Sequence, residues 1–75
     1  MERKIGIYTE CIKLDSFLKL AGACHTGGEA KTVIQRGEVY LNNMVCNMRG
    51  KKVFPGDFVE FGGACYMVTK NEGNT

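Results

Sequence analysis

The residues best suited to chemistry lie in the run Thr26-Gly27-Gly28-Glu29-Ala30-Lys31. Two adjacent glycines leave backbone amides uncovered by side chains, and a lysine follows one helical turn later. Amides at the start of a helix carry the positive end of the helix dipole, so they suit an anion such as a phosphate oxygen. The same glycines would serve equally well in a tight turn between two helices, and on this run alone the two readings stand level. Nucleotide hydrolysis finds no support, because no Gly-Lys-Ser/Thr follows the glycines and no clear strand precedes them. Other enzyme chemistry finds little material. The chain has one histidine, His25, with no carboxylate near it in sequence, which reads as a solvated loop side chain. No nucleophile stands beside a base. Asp15, Asp57, Glu29 and Glu38 are accounted for by helix starts, turns and strand ends.

The four cysteines, Cys11, Cys24, Cys46 and Cys65, contain no C-x-x-C pair. A zinc site needs ligands paired at close spacing, and the adjacent Cys24 and His25 cannot easily share one ion. A disulfide framework needs a secretory context, and none is visible. The cysteines therefore read as small buried hydrophobes. No metal, no cofactor and no small-molecule substrate is expected.

Charge is distributed unevenly. The whole chain carries +2, but between Lys13 and Lys52 there are seven basic residues against three acidic ones. The centre is therefore basic and the two ends together acidic, and where charge sits says more about partners than the total does. No apolar run approaches the roughly 20 residues needed to span a bilayer. The charged start, Met1-Glu2-Arg3-Lys4, is followed by no apolar signal segment, so the expectation is a cytoplasmic protein without membrane contact.

The elements that must position these residues are short. At 75 residues the chain is read as one domain over 1–75, with a core over about 12–69 and a flexible tail over 70–75. A chain of this size buries only about 60% of its unfolded surface. Leu14, Phe17, Leu18 and Ala21 fall on one face of a helix, with Asp15 near its start, an Asp15–Lys19 pair on its outer side and Gly22 as its stop. Thr26 and Glu29 form a capping box for a second helix, the Glu29 carboxylate reaching back to the Thr26 amide. Ala30, Val33 and Ile34 give that helix its apolar stripe, and Gly37 ends it. Two such helices make a helix-turn-helix unit that needs a partner surface. The second half supplies strands: Glu38 to Leu41, an Asn42-Asn43 turn, a return over Met44 to Met48, a Pro55-Gly56 turn, and a hairpin of Phe58 to Phe61 and Ala64 to Thr69 around Gly62-Gly63. Ile5 to Tyr8 reads as a short N-terminal strand. The fold class expected is α+β, a two-helix unit packed on a small, mainly antiparallel β-sheet.

The stretches I-K-L-D-S-F-L-K-L-A-G, T-G-G-E-A-K-x-x-I-Q-R-G-x-V-x-L-N and V-F-P-G-D-F-V-E-F occur in that order between Ile12 and Phe61. Together they resemble the S-four RNA-binding domain, the alpha-L motif named after a small-subunit ribosomal protein. The likeness is greatest to small stand-alone bacterial members, in which G-G-E-A-K opens the second helix. Two positions depart from the pattern. Asn43 stands where the family usually has glycine, and asparagine tolerates the same left-handed turn. Lys13 stands where many members have arginine, which keeps the charge without the bidentate fork.

The resemblance implies an RNA-binding surface. Lys13 matches the basic residue at the start of the first helix. Thr26, Gly27, Gly28 and Lys31 match the start of the second, and Gln35 and Arg36 its exposed far end. Asn42 matches the hairpin turn. Arg49, Lys51 and Lys52 extend the basic surface on charge grounds. Tyr40 is the one evident stacking platform, so the expected partner is structured RNA, ribosomal or transfer, recognised by shape, with ribosomal particles as its context and the protein a monomer. The rival expectation is a protein-interaction module of the same fold that does not bind RNA. Salt-insensitive binding to a protein would distinguish it.

Overall fold

The computed structural model describes residues 2–71. Nine elements follow one another: β1 (Glu2–Ile7), β2 (Ile12–Lys13), α1 (Leu14–Leu20), α2 (Gly27–Gln35), β3 (Tyr40–Leu41), β4 (Met44–Val45), β5 (Lys52–Val53), β6 (Phe58–Phe61) and β7 (Ala64–Lys70). Five strands form one sheet in the order β1-β7-β6-β3-β4, and β2 with β5 forms a separate two-stranded ribbon. Every pairing is antiparallel except that of β1 with β7. The fold is α+β, two helices on a mainly antiparallel sheet.

Both helices bury the faces their spacing implies. Leu14, Phe17, Leu18 and Ala21 from the first helical segment meet Ala30, Val33 and Ile34 from α2. Ile7, Val59, Tyr66 and Val68 close the core from the sheet, Val39 from just ahead of β3, and Val53 from the ribbon. No polar or charged side chain is buried among the described residues. The two helical segments end on Gly22 and Gly37, both left-handed at φ +79° and +78°, where a side chain would be strained.

The turns follow their residue types. Asn42 and Asn43 take φ +52° and +72° and join β3 to β4 in two residues, the twist that suits a tight hairpin. Phe54 accepts from the Asp57 amide at 2.9 Å across Pro55-Gly56.

Several expectations change. The N-terminal strand spans Glu2–Ile7 rather than Ile5 to Tyr8, because its charged first half forms an edge, where charge is tolerated. The return after Asn43 pairs only over Met44–Val45 and does not run to Met48. The chain leaves the sheet there to reach the start of α1. Only Cys24 of the four cysteines is buried, and Cys11, Cys46 and Cys65 are half-buried. Of the tail expected over 70–75, Lys70 closes β7 and the Asn71 amide donates to the Ile7 carbonyl at 2.8 Å. Residues 72–75 lie outside the described residues.

Phe17 is fully buried where α1 meets the rest of the core. Phe17→Ala is expected to cost about 3–5 kcal/mol, much of the stability of about 4–11 kcal/mol that a chain of this length has. Urea unfolding followed by circular dichroism measures it, and a loss under about 1 kcal/mol would place the core elsewhere.

Candidate nucleic-acid interface

The two helix starts are built differently. The α1 start has no side-chain cap at Lys13. Its first amides are taken by another part of the chain: Leu14 donates to the Lys51 carbonyl at 2.9 Å and Asp15 to the Arg49 carbonyl at 3.2 Å. The Asp15 carboxylate accepts from the Ser16 amide at 2.7 Å, and the expected pairing of Asp15 with Lys19 is not formed among the described residues. A helix start closed by carbonyls offers nothing to an anion.

The α2 start is open. Thr26 enters it extended and its hydroxyl accepts from the Glu29 amide at 3.1 Å. The Thr26 carbonyl accepts from Ala30 at 3.1 Å. The Glu29 carboxylate reaches back to the His25 amide at 2.9 Å, not to that of Thr26 as expected. The extended N-cap presents the amide one residue earlier. The remaining donors of the first turn, the Gly27 and Gly28 amides, have no partner among the described residues, and both glycines are exposed.

These glycines are not required by sterics. A methyl group added at Gly27 would come no nearer than 4.0 Å to Lys19, and one at Gly28 no nearer than 3.9 Å to Thr26. Neither residue has a left-handed φ. Alanine would fit both and would favour a helix by up to about 1 kcal/mol each. The tight-turn explanation therefore loses its force at Gly27 and Gly28, since the left-handed turn residue is Gly22. What glycine alone provides here is a close approach to bare amides.

Lys19 is a cation the sequence reading missed. Its side-chain stem lies beside Gly27, because the helix hairpin folds the last turn of α1 over the first turn of α2. Only the return angle of that hairpin could have signalled it. Lys31 lies one turn into α2 and is exposed. The open amides thus have the Lys19 stem beside them and Lys31 one turn further along the same helix.

A second basic cluster forms at the other end of α1. Lys13 and Lys52 are direct cross-strand neighbours in the β2–β5 ribbon, where directly opposed like charges destabilise. Arg49 and Lys51 are tied to the same place by the carbonyls that close α1. The four are exposed, and none makes an ion pair among the described residues. The two clusters are separated along α1 by about 9 Å, at 1.5 Å per residue.

The other expected residues stand apart. Gln35 and Arg36 lie at the far end of α2, about 12 Å from its start, and Arg36 is 3.8 Å from the Glu38 carboxylate in an exposed pair. Asn42 is committed to the fold: its amide donates to Asp57 at 3.2 Å and its carbonyl accepts from the Phe58 amide at 3.0 Å.

Two thiols are perturbed. Burial, and then the Glu29 carboxylate, push the Cys24 thiol up. Cys65 is raised by burial and then by Glu60 and Glu2, which are its partners in the two neighbouring strands. No group of three or more His, Cys, Asp or Glu side chains is placed to hold a metal among the described residues. No helix among them is long and apolar enough to cross a membrane.

With that geometry in view, comparison with known proteins is specific. A family model described as S4 domain matches residues 5–69. A protein of Bacillus subtilis (strain 168) named probable ribosome maturation protein RlbA is 44% identical over 63 residues, covering 84% of this chain and 89% of that protein.

Two outcomes are expected of the free protein. Lys52→Gln relieves the opposed lysines and raises stability by about 0.2–1 kcal/mol at low salt, a gain that vanishes as salt is added; thermal melts at two ionic strengths check it. For the thiols, a raised native pKa keeps Cys24 protonated while the unfolded thiol ionises first, so this contribution to stability is whole at neutral pH and lost as pH climbs past the ordinary thiol range. Iodoacetamide at pH near 8.5 is therefore expected to label Cys24 only as fast as the protein unfolds, and labelling at the rate of a free thiol would contradict its burial.

Proposed function

Because the chain belongs to the S4 domain family, we propose that it is a non-catalytic RNA-binding protein whose partner is structured RNA, foremost ribosomal RNA within ribosomal particles. The observation that carries this reading is the α2 start: two glycines that alanine could replace without a clash, two unpartnered amides, the Lys19 stem beside Gly27, and Lys31 one turn along the helix. A phosphate oxygen supplies the acceptor and the charge that this locus lacks. The second cluster, Lys13, Arg49, Lys51 and Lys52, meets a further stretch of the same backbone. An anion between Lys13 and Lys52 also relieves their repulsion, so part of the binding free energy is held as strain in the free protein.

Phosphate contacts position a protein and do not read sequence. The discrimination therefore lies in shape, in how the RNA backbone bends past two cation clusters set on one rigid helix. Arg36 contributes less, since Glu38 already faces it. The Bacillus subtilis relative, by its name a probable ribosome maturation protein, supports a ribosomal setting over transfer RNA.

Binding of purified ribosomal RNA and of transfer RNA, followed by filter retention across a salt series, tests the reading. Six unpaired cations predict a log–log salt slope of about −4 to −5. Lys19→Glu with Lys31→Glu is expected to weaken ribosomal RNA binding by about a hundredfold or more and to flatten the slope by about two. Gly28→Ala should weaken binding while leaving the melting temperature unchanged or higher. Affinity that survives the double reversal, or binding indifferent to salt, would refute the proposed face and favour the protein-interaction alternative.

A further inference from the structure

After β4 the chain departs from the sheet and bounds a groove of about 360 Å³, whose walls include Leu41, Met44, Val45, Asn47, Met48 and Lys51. Its apolar walls face water: Met44 is 72% exposed, Met48 62% and Val45 54%. Three large apolar side chains exposed within five residues form a patch of the kind that marks an interaction site. Of the groove's polar side chains, Asn42 is held by Asp57 and Phe58 and the Cys46 thiol donates to the Met48 carbonyl, which leaves Asn47 and Lys51 uncommitted. The Asn47 side chain makes no hydrogen bond among the described residues, and Lys51 makes no ion pair among them. No acidic residue lines the groove.

We infer that this groove receives one unpaired nucleobase, extruded from the RNA whose backbone lies on the neighbouring cations; the inference rests on the RNA-binding reading above. Each part of the groove has a matching part of a nucleotide. The flat face of a base packs on the Met44 and Met48 thioethers and on Val45, and methionine sulfur makes favourable contacts with aromatic rings. The free Asn47 amide offers a donor and an acceptor to the base edge. Lys51 answers the phosphate of the same nucleotide. Its own carbonyl is bonded to the Leu14 amide, which fixes the groove against the second basic cluster.

A peptide strand is the poorer occupant. β4 lies at the sheet edge but is two residues long, so it offers an added strand only the shortest ladder. The sole charge lining the groove is positive, which complements a nucleotide. RNA targets are read at bulges and loops because their bases can be splayed out. The groove therefore points to a helix interrupted by at least one unpaired base, and adds base contact to a surface that otherwise senses only shape.

The test uses the whole protein with two probes, a blunt RNA duplex and the same duplex carrying a single bulged 2-aminopurine. Expected is a preference of about three- to tenfold for the bulged duplex, with a change in 2-aminopurine fluorescence on binding. Met48→Ser and Asn47→Ala should each erase that preference, leave affinity for the blunt duplex unchanged and leave the circular dichroism spectrum unchanged. Equal affinity for both probes, or a preference that survives both substitutions, overturns the base site while the RNA-binding reading stands. Binding of neither probe nor of ribosomal RNA overturns both.

Discussion

A helix of seven residues cannot stabilise itself, and its exposed first amides must find acceptors. In α1 those acceptors are the Arg49 and Lys51 carbonyls, which come from a segment thirty-odd residues downstream. Much of the architecture follows from that pair of bonds. They oblige the chain to quit the sheet after Val45. They set β5 beside β2, and so place Lys52 opposite Lys13. They also hold Arg49 and Lys51 at one end of α1 while the other end leans on α2. A local requirement for hydrogen bonds thereby fixes where four of the ten basic residues sit.

In α2 the same backbone groups meet a different fate. One helix start is sealed by the fold, and the other is left open with glycines where alanine would be more stable. The opposed lysines of the ribbon repeat the pattern. Each is a small loss of stability that packing does not require. Neither would survive in a chain selected for stability alone.

The apolar periods made much of this visible beforehand. Leu14, Phe17, Leu18 and Ala21, and then Ala30, Val33 and Ile34, are buried as their spacing requires. The left-handed Asn42-Asn43 pair and the Pro55-Gly56 turn follow from residue type. What escaped was set by contacts distant in sequence. β1 pairs in parallel with β7, and no local signal in Glu2, Arg3 and Lys4 announces it. Lys19 reaches Gly27 only because of the angle between two helices. Asn42 matches an RNA-facing position, yet both ends of its side chain serve the hairpin, a competition that only the register of β3 on β6 reveals. Arg49, Lys51 and Lys52 could be proposed from charge, but not their junction with Lys13.

The glutamates flanking Cys65 have a meaning beyond that thiol. In β6 and β7, Glu60 and Cys65 alternate with the buried Val59 and Tyr66, so they occupy the outer surface of the sheet, away from the helices. Glu2 and Lys4 extend that surface along β1. That surface holds two carboxylates and one lysine among its side chains, while the six cations of the two clusters lie off the five-stranded sheet, so the modest total charge hides an uneven distribution.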